Sequence, residues 1–184
     1  MSETLIVEYG AGNTHSVRAA FARIGETTRL SADPEEILSA AYVVLPGVGS
    51  ARAAMTHLNA TGAADALRAR FAAGRPILGI CLGLQLALEI SEEDGGVETL
   101  ALLPGRVVRL TEGRVPRLGW AMVEPWGEAF YFAHSFVAQS PHVSATSDGV
   151  TAVVSHGSFT GVQFHPEKSG PTGERWLASC RSLV

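Results

Sequence analysis

Pro76-Ile77-Leu78-Gly79-Ile80-Cys81-Leu82-Gly83 is the stretch on which the fold turns. Pro76 to Ile80 is a short apolar run of the length of a buried strand. Leu82 to Ile90, mostly apolar, reads as a helix directly after that strand. Such a junction is half of a βαβ unit, and the residues upstream supply the rest. Leu5-Ile6-Val7 reads as a strand, followed by the turn Gly10-Ala11-Gly12-Asn13. Val17, Ala20, Phe21 and Ile24 then fall at helical spacing, with Gly25 as the stop. Thr27 to Leu30 is a second strand. Asp33-Pro34-Glu35-Glu36 opens a helix with a capping acid, a proline at the first position and acids at the positive end. Tyr42 to Leu45 is a third strand, running into Pro46-Gly47-Val48-Gly49, and helices follow near 51–58 and 62–73.

Strand and helix in alternation predict a parallel sheet covered on both faces. Beyond residue 100 the character changes. Segments 105–111, 129–132, 135–138, 142–147, 150–155 and 158–164 are short, rich in Val, Phe, Tyr and Thr, and separated by turns such as Ser147-Asp148-Gly149. They read as mostly antiparallel strands, some extending the main sheet, before a closing helix at 172–181. The expected class is α/β: a mostly parallel, flavodoxin-like central sheet flanked by helices, with antiparallel strands added in the second half. One domain is expected over 1–184.

Composition narrows the function. Of 184 residues, 46% are apolar and 17% charged, which fits a globular chain rather than a disordered one. Fourteen basic against 18 acidic side chains give a net charge of −4 with no basic cluster, so nucleic acid is not an expected partner. Two cysteines, Cys81 and Cys180, make no disulfide framework and point to a reducing compartment. The start, Met1-Ser2-Glu3-Thr4, lacks a basic, apolar leader, and no run is long enough to span a bilayer; the cytoplasm is the expected location. No histidine has metal-ligand spacing, and no cofactor is expected.

Gly79-Ile80-Cys81-Leu82-Gly83 has the pattern G-x-C-x-G, the cysteine form of a nucleophile elbow. A strand turning sharply into a helix leaves the central side chain exposed, and flanking glycines keep the turn open. The helix N-terminus favours thiolate, and the Leu82 amide is placed to donate to an oxyanion. The plain alternative is a buried, inert cysteine. A thiolate nucleophile needs an oriented imidazole. Phe164-His165-Pro166-Glu167, at the end of a predicted strand, supplies both imidazole and orienting carboxylate. Read singly, His165 could be structural and Glu167 a solvated loop acid. Pro46-Gly47-Val48-Gly49 ends a different parallel strand, so it shares a crevice with Cys81 and could complete an oxyanion hole. An ordinary loop or a weak phosphate cradle are its alternatives.

Gly79 to Gln85, Gln163-Phe164-His165-Pro166-Glu167 and Leu45-Pro46-Gly47-Val48-Gly49 together resemble the three motifs of class I, triad-type glutamine amidotransferases. Tyr9 to Asn13 with Ser16-Val17, Ser91-Glu92-Glu93, Leu118-Gly119-Trp120, Tyr131 to Phe136 and Pro166 to Gly170 sharpen the resemblance to the glutaminase subunits of imidazole glycerol phosphate synthase. It runs from about residue 5 to residue 170. It implies a Cys81–His165–Glu167 triad, with an oxyanion hole from Leu82, Gly47, Val48 and Gly49. It also implies glutamine held by Gln85, Glu89 and the Ser135-Phe136 backbone. The implied partner is a HisF-like (β/α)8-barrel cyclase in a heterodimer, met by Asn13, Trp120, Tyr131 and Lys168. Each has a plainer alternative: a solvated helix acid for Glu89, a turn residue for Asn13, core aromatics for Trp120 and Tyr131, a surface charge for Lys168. The chain departs from the family at Glu8, Thr14 and Ala51. It departs again at Arg117 and Ala121, in a segment expected to face the partner. Another amidotransferase subunit, a degenerate binding domain and a stand-alone cysteine hydrolase are the rival readings.

Overall fold

The structure is a computed structural model that describes residues 3–10, 13–47 and 49–182. The first half alternates as expected: β1 (Thr4–Val7), α1 (Thr14–Arg23), β2 (Thr28–Ser31), α2 (Pro34–Ser39), β3 (Tyr42–Leu45), α3 (Ala51–Thr61), α4 (Ala63–Ala72), β4 (Ile77–Ile80) and α5 (Leu82–Leu86). The second half carries β5 (Ile90–Ser91), β6 (Val97–Glu98), β7 (Arg106–Arg109), β8 (Arg117–Val123), β9 (Glu128–His134) and β10 (Phe136–Gln139). It ends with β11 (Val143–Ser147), β12 (Val150–His156), β13 (Phe159–Val162) and α6 (Gly170–Ser182). The Asp33 carboxylate accepts the amides of Glu35 and Glu36, so α2 begins where its capping acid and proline predict.

The main sheet has seven strands in the order β11-β12-β13-β4-β3-β1-β2. Pairing is parallel from β2 to β13 and antiparallel through β12 and β11. A period of two divides its strands between two cores. Leu5, Val7, Val43 and Leu45 pack on the side of α2–α5. Ile6, Tyr42, Val44 and Ile80 pack on the other side, with Val17 and Phe21 of α1 and Leu177 of α6. A smaller sheet runs β10-β7-β5-β6, and β8 and β9 form a separate hairpin. The topology brings the carboxyl ends of β3, β4 and β13 side by side, where an open α/β sheet places its crevice.

Arg70 of α4 ties this frame together from inside. Its fully buried guanidinium donates to the carbonyls of Ile37, Leu38, Ala40, Ala41 and Pro76, so backbone dipoles at the end of α2 take the place of a carboxylate. Burial above all, and then nearby Arg75, hold its pKa down at about 10.

Two expectations change. The helix expected over Leu82 to Ile90 stops at Leu86. The Ala87 carbonyl accepts the amides of Leu102 and Leu103, and the Leu88 carbonyl accepts that of Ala101, so a returning loop captures these groups and the chain turns into β5. Residues 117–123, not assigned to any element from the sequence, form β8. Among the described residues no helix is long and apolar enough to cross a membrane.

Candidate active site

Cys81 occupies the junction between β4 and α5 with φ 49° and ψ −101°, a left-handed conformation disfavoured for a side chain other than glycine. The surroundings enforce this strain. A Cβ on Gly83 would lie 2.1 Å from the Leu45 carbonyl oxygen, and one on Gly79 would lie 2.7 Å from the Gly83 backbone. Neither glycine is replaceable without moving backbone, so the elbow is wedged against the end of β3. Cys81 is 7% exposed and lines a cleft of about 310 Å³. The α5 helix has five residues, so its dipole acts on the sulfur through fewer aligned peptides than a long helix would offer.

β13 delivers the imidazole. His165 Nδ1 lies 2.7 Å from Glu167 Oε1, and the two side chains are 2% and 3% exposed. Phe164 anchors the strand end in stacked contact with Phe130. Ser169 holds the turn that follows: its hydroxyl donates to the His165 carbonyl at 2.6 Å and accepts the Tyr131 amide at 3.0 Å. Burial pushes the His165 pKa down, but hydrogen bonds to Cys81 and Glu167 and their negative charge outweigh it and raise it to about 9. Sulfur, imidazole and carboxylate therefore converge as a Cys–His–Glu triad requires.

The turn after β3 closes over the elbow. Gly47 packs so tightly that a Cβ there would lie 1.8 Å from the Ile80 carbonyl oxygen. The buried Tyr9 hydroxyl donates to the Pro46 carbonyl and fixes the other side of the same peptide. Gly47, Gly49 and Leu82 all line the cleft, and Leu82 is the first residue of α5, where a helix amide has no internal acceptor. Val48 lies outside the described residues.

The cleft is also lined by Gln85, Ser135, Phe136 and Lys168, as expected. Glu89 is a correction. It is exposed, does not line the cleft, and its carboxylate accepts the Gly105 amide at 2.9 Å. The early end of α5 turns it away from the position a longer helix would give it. The carboxylate that does line the cleft is Glu93, which also accepts the Ala51 amide at 2.7 Å. Burial, with Asp94 adding, raises its pKa despite the Ala51 bond. Ser91-Glu92-Glu93 was visible as a motif, but the family resemblance was carried onto Glu89 and not onto Glu93.

Other residues the sequence reading did not use are Gln163, whose Nε2 lies 3.5 Å from Cys81 Sγ, and His134. His134 Nδ1 donates to the Phe136 carbonyl at 2.9 Å, and burial holds its pKa down at about 4, so it is neutral near pH 7.

The interface residues divide. Trp120 is 59% exposed and meets Tyr131 edge to face, with Leu118 59% and Met122 50% exposed on the same face of β8. That is a contiguous apolar stripe beside the cleft, not a core. Lys168 is exposed at the cleft rim. Asn13 is exposed and caps α1 by accepting the Ser16 amide. The departures Arg117 and Ala121 alternate to the other face. Arg117 lies over the Phe132 ring and binds Ser147 and Asp148, and Ala121 packs on the core. They do not interrupt the stripe.

The chain is similar to proteins of a known family. Residues 5–181 match the family model "Glutamine amidotransferase class-I". A curated relative from Carboxydothermus hydrogenoformans, described as imidazole glycerol phosphate synthase subunit HisH, is 41% identical over 98% of this chain and 100% of its own length. One of the same description from Exiguobacterium sibiricum is 42% identical over 97% of this chain and 94% of its own. Among solved structures, a glutamine amidotransferase superposes with a TM-score of 0.81 over 98% of this chain and 99% of its own at 19% identity. A chain from the structure of PurLQS from Thermotoga maritima superposes with a TM-score of 0.73 at 18% identity, with both chains fully covered. At such identities the superpositions speak for the fold.

Proposed function

Because this chain belongs to the class I glutamine amidotransferase family, and within it to the HisH subunits, we propose that it hydrolyses L-glutamine to glutamate and ammonia through Cys81, His165 and Glu167. The observation that carries the assignment of residues is the sealed 2.7 Å bond between Glu167 and an imidazole that engages a thiol at a strained elbow. The Cys81 sulfur attacks the side-chain amide carbon of glutamine. The oxyanion that forms is received by the Leu82 amide and by the turn that contains Gly47, Val48 and Gly49. Protonated His165 gives its proton to the departing nitrogen, and the C–N bond breaks to leave a thioester and ammonia. His165, now neutral, takes a proton from water, whose oxygen attacks the thioester carbon. Glutamate leaves and the sulfur is restored. Glu167 keeps the Nδ1 proton in place throughout. Glu93 faces the substrate ammonium, and Gln85 and the Ser135-Phe136 backbone hold the rest of its amino-acid end.

Ammonia then passes to a HisF-like (β/α)8-barrel cyclase. There it joins a ribulosyl aminoimidazole carboxamide nucleotide to give imidazole glycerol phosphate and the carboxamide ribotide of histidine biosynthesis. The exposed stripe of Leu118, Trp120 and Met122, with Tyr131 and Lys168 at its edge and Asn13 at the neighbouring turn, supports a docking face at the cleft. The chain acts as a single glutaminase domain in a cytoplasmic heterodimer. The test is glutamate release by the full chain with and without such a cyclase, for wild type and Cys81→Ala. The expected result is weak activity alone, large stimulation by the cyclase, and none for Cys81→Ala while added ammonia still supports cyclisation. Loss of both activities together would make Cys81 structural.

A further inference from the structure

We propose that Gln163 is a further catalytic residue: its side-chain amide donates to the Cys81 sulfur and favours the thiolate. The inference rests on the reading of Cys81 as nucleophile and deepens it. Gln163 is fully buried, its Nε2 lies 3.5 Å from Cys81 Sγ, and its backbone N–H donates to the Ala152 carbonyl at 2.8 Å.

Which end of a side-chain amide faces a neighbour follows from the neighbours. The Phe136 backbone carbonyl can only accept, and it lies 2.9 Å from one terminal atom of Gln85, which must therefore be the nitrogen. That same nitrogen lies 3.1 Å from Gln163, so the atom it meets there must be the oxygen. The other end of Gln163, facing the sulfur, is then the NH₂ group. His134 reinforces the assignment, since its Nδ1 is the second donor on the Phe136 carbonyl. One backbone carbonyl thus orients two amides in series and delivers an N–H to the nucleophile.

Besides His165, the sulfur has two further polar neighbours, and they act oppositely. The Ala133 carbonyl at 3.9 Å can only accept, so it serves the neutral S–H. Gln163 only donates there, so it serves S⁻. With α5 five residues long, this donor adds to a weak dipole. The charged and titratable groups around the sulfur are His165 with Glu167 beyond β13, Tyr9 after β1, His134 on β9, and Glu93 and Lys168 at the cleft.

The test uses the full chain as wild type, Gln163→Leu and Gln163→Glu; the glutamate keeps the size of the side chain but offers the sulfur an acceptor. Alkylation by iodoacetamide is followed against pH, with the label located by peptide mass so that Cys180 is not counted. Alkylation needs no oxyanion, so it isolates the thiolate from the rest of catalysis. Both variants are expected to alkylate roughly 10-fold more slowly at pH 7, the size of one lost hydrogen bond to a charged group, with the profile displaced to higher pH. Turnover with glutamine falls while KM stays within about twofold. A folded Gln163→Leu or Gln163→Glu that alkylates with the wild-type profile overturns the proposal. If those variants react as wild type and Cys81→Ala is inactive, the role of Gln163 alone fails. If Cys81→Ala keeps its glutaminase activity, the reading beneath the proposal fails and the proposal falls with it.

Discussion

A Cβ on Gly47 would stand 1.8 Å from the carbonyl oxygen of Ile80, so the turn after β3 and the elbow at Cys81 pack backbone against backbone. In the reverse direction a Cβ on Gly83 would stand 2.1 Å from the Leu45 carbonyl oxygen, so the same two strand ends are held from the other side. Neither contact involves the flexible end of a side chain that might step aside.

Gly47→Ala must therefore displace the turn. The expected result is a fall in kcat for glutamine of roughly 100-fold, comparable to losing one oxyanion donor. Cyclisation fed with ammonia, measured in the same complex, is expected to continue unchanged.

Glu167→Gln tests the imidazole. His165 titrates at about 9 in the folded chain against an ordinary 6.5, held up against burial by Cys81 and Glu167. Removing the Glu167 charge lowers that value, so the alkaline limb of kcat/KM moves to lower pH. The stability profile shifts as well. Between 6.5 and 9 the folded state holds a proton that the unfolded state has lost, so wild-type stability is full below 6.5 and declines as pH rises through 9. The steepest decline is about 1.4 kcal/mol per pH unit. Urea titrations across this window are expected to show a flatter profile for Glu167→Gln.

Glu93 and Glu89 give opposite outcomes. If Glu93 meets the substrate ammonium, Glu93→Gln raises KM for glutamine roughly 10- to 100-fold with little effect on kcat, as loss of one charge-assisted bond does. Glu89→Gln, on the far side of the Gly105 amide, is expected to leave KM unchanged. Steady-state kinetics on the two variants decides between them.

Trp120→Ala addresses the exposed stripe. A half-exposed aromatic that becomes buried on docking contributes about 2 kcal/mol, which is roughly a 30-fold weaker Kd for the cyclase. The glutaminase activity of the isolated chain is expected to stay at its basal level. Calorimetric titration with the cyclase measures the first and glutamate release the second.

What the sequence disclosed follows from which interactions are local. Asp33-Pro34 announces α2 because a cap and a fixed φ act within one turn. Gly79-Ile80-Cys81-Leu82-Gly83 announces the elbow because its glycines record a close backbone approach, although that the neighbour is the Leu45 carbonyl appears only in three dimensions. The end of α5 was hidden because distant amides at 101–103 capture its last carbonyls. Glu89 was assigned by family resemblance, and its place outside the cleft, with Glu93 inside, appears only in the folded chain. β8 was hidden because its outward residues Leu118, Trp120 and Met122 are apolar, so the polar half of the usual alternation is missing. Gln163 sat inside a quoted motif, but its role depends on Gln85 and on a carbonyl in β10.

The most direct test of the central claim is to treat the full chain, mixed with a HisF-like cyclase, with a chloromethyl ketone analogue of glutamine and to map the adduct by peptide mass. The account predicts one adduct, on Cys81, formed at the rate at which glutaminase activity disappears, slowed by excess glutamine and absent in His165→Ala. Activity that survives full labelling of Cys81, or an inactivating adduct on Cys180, would contradict it.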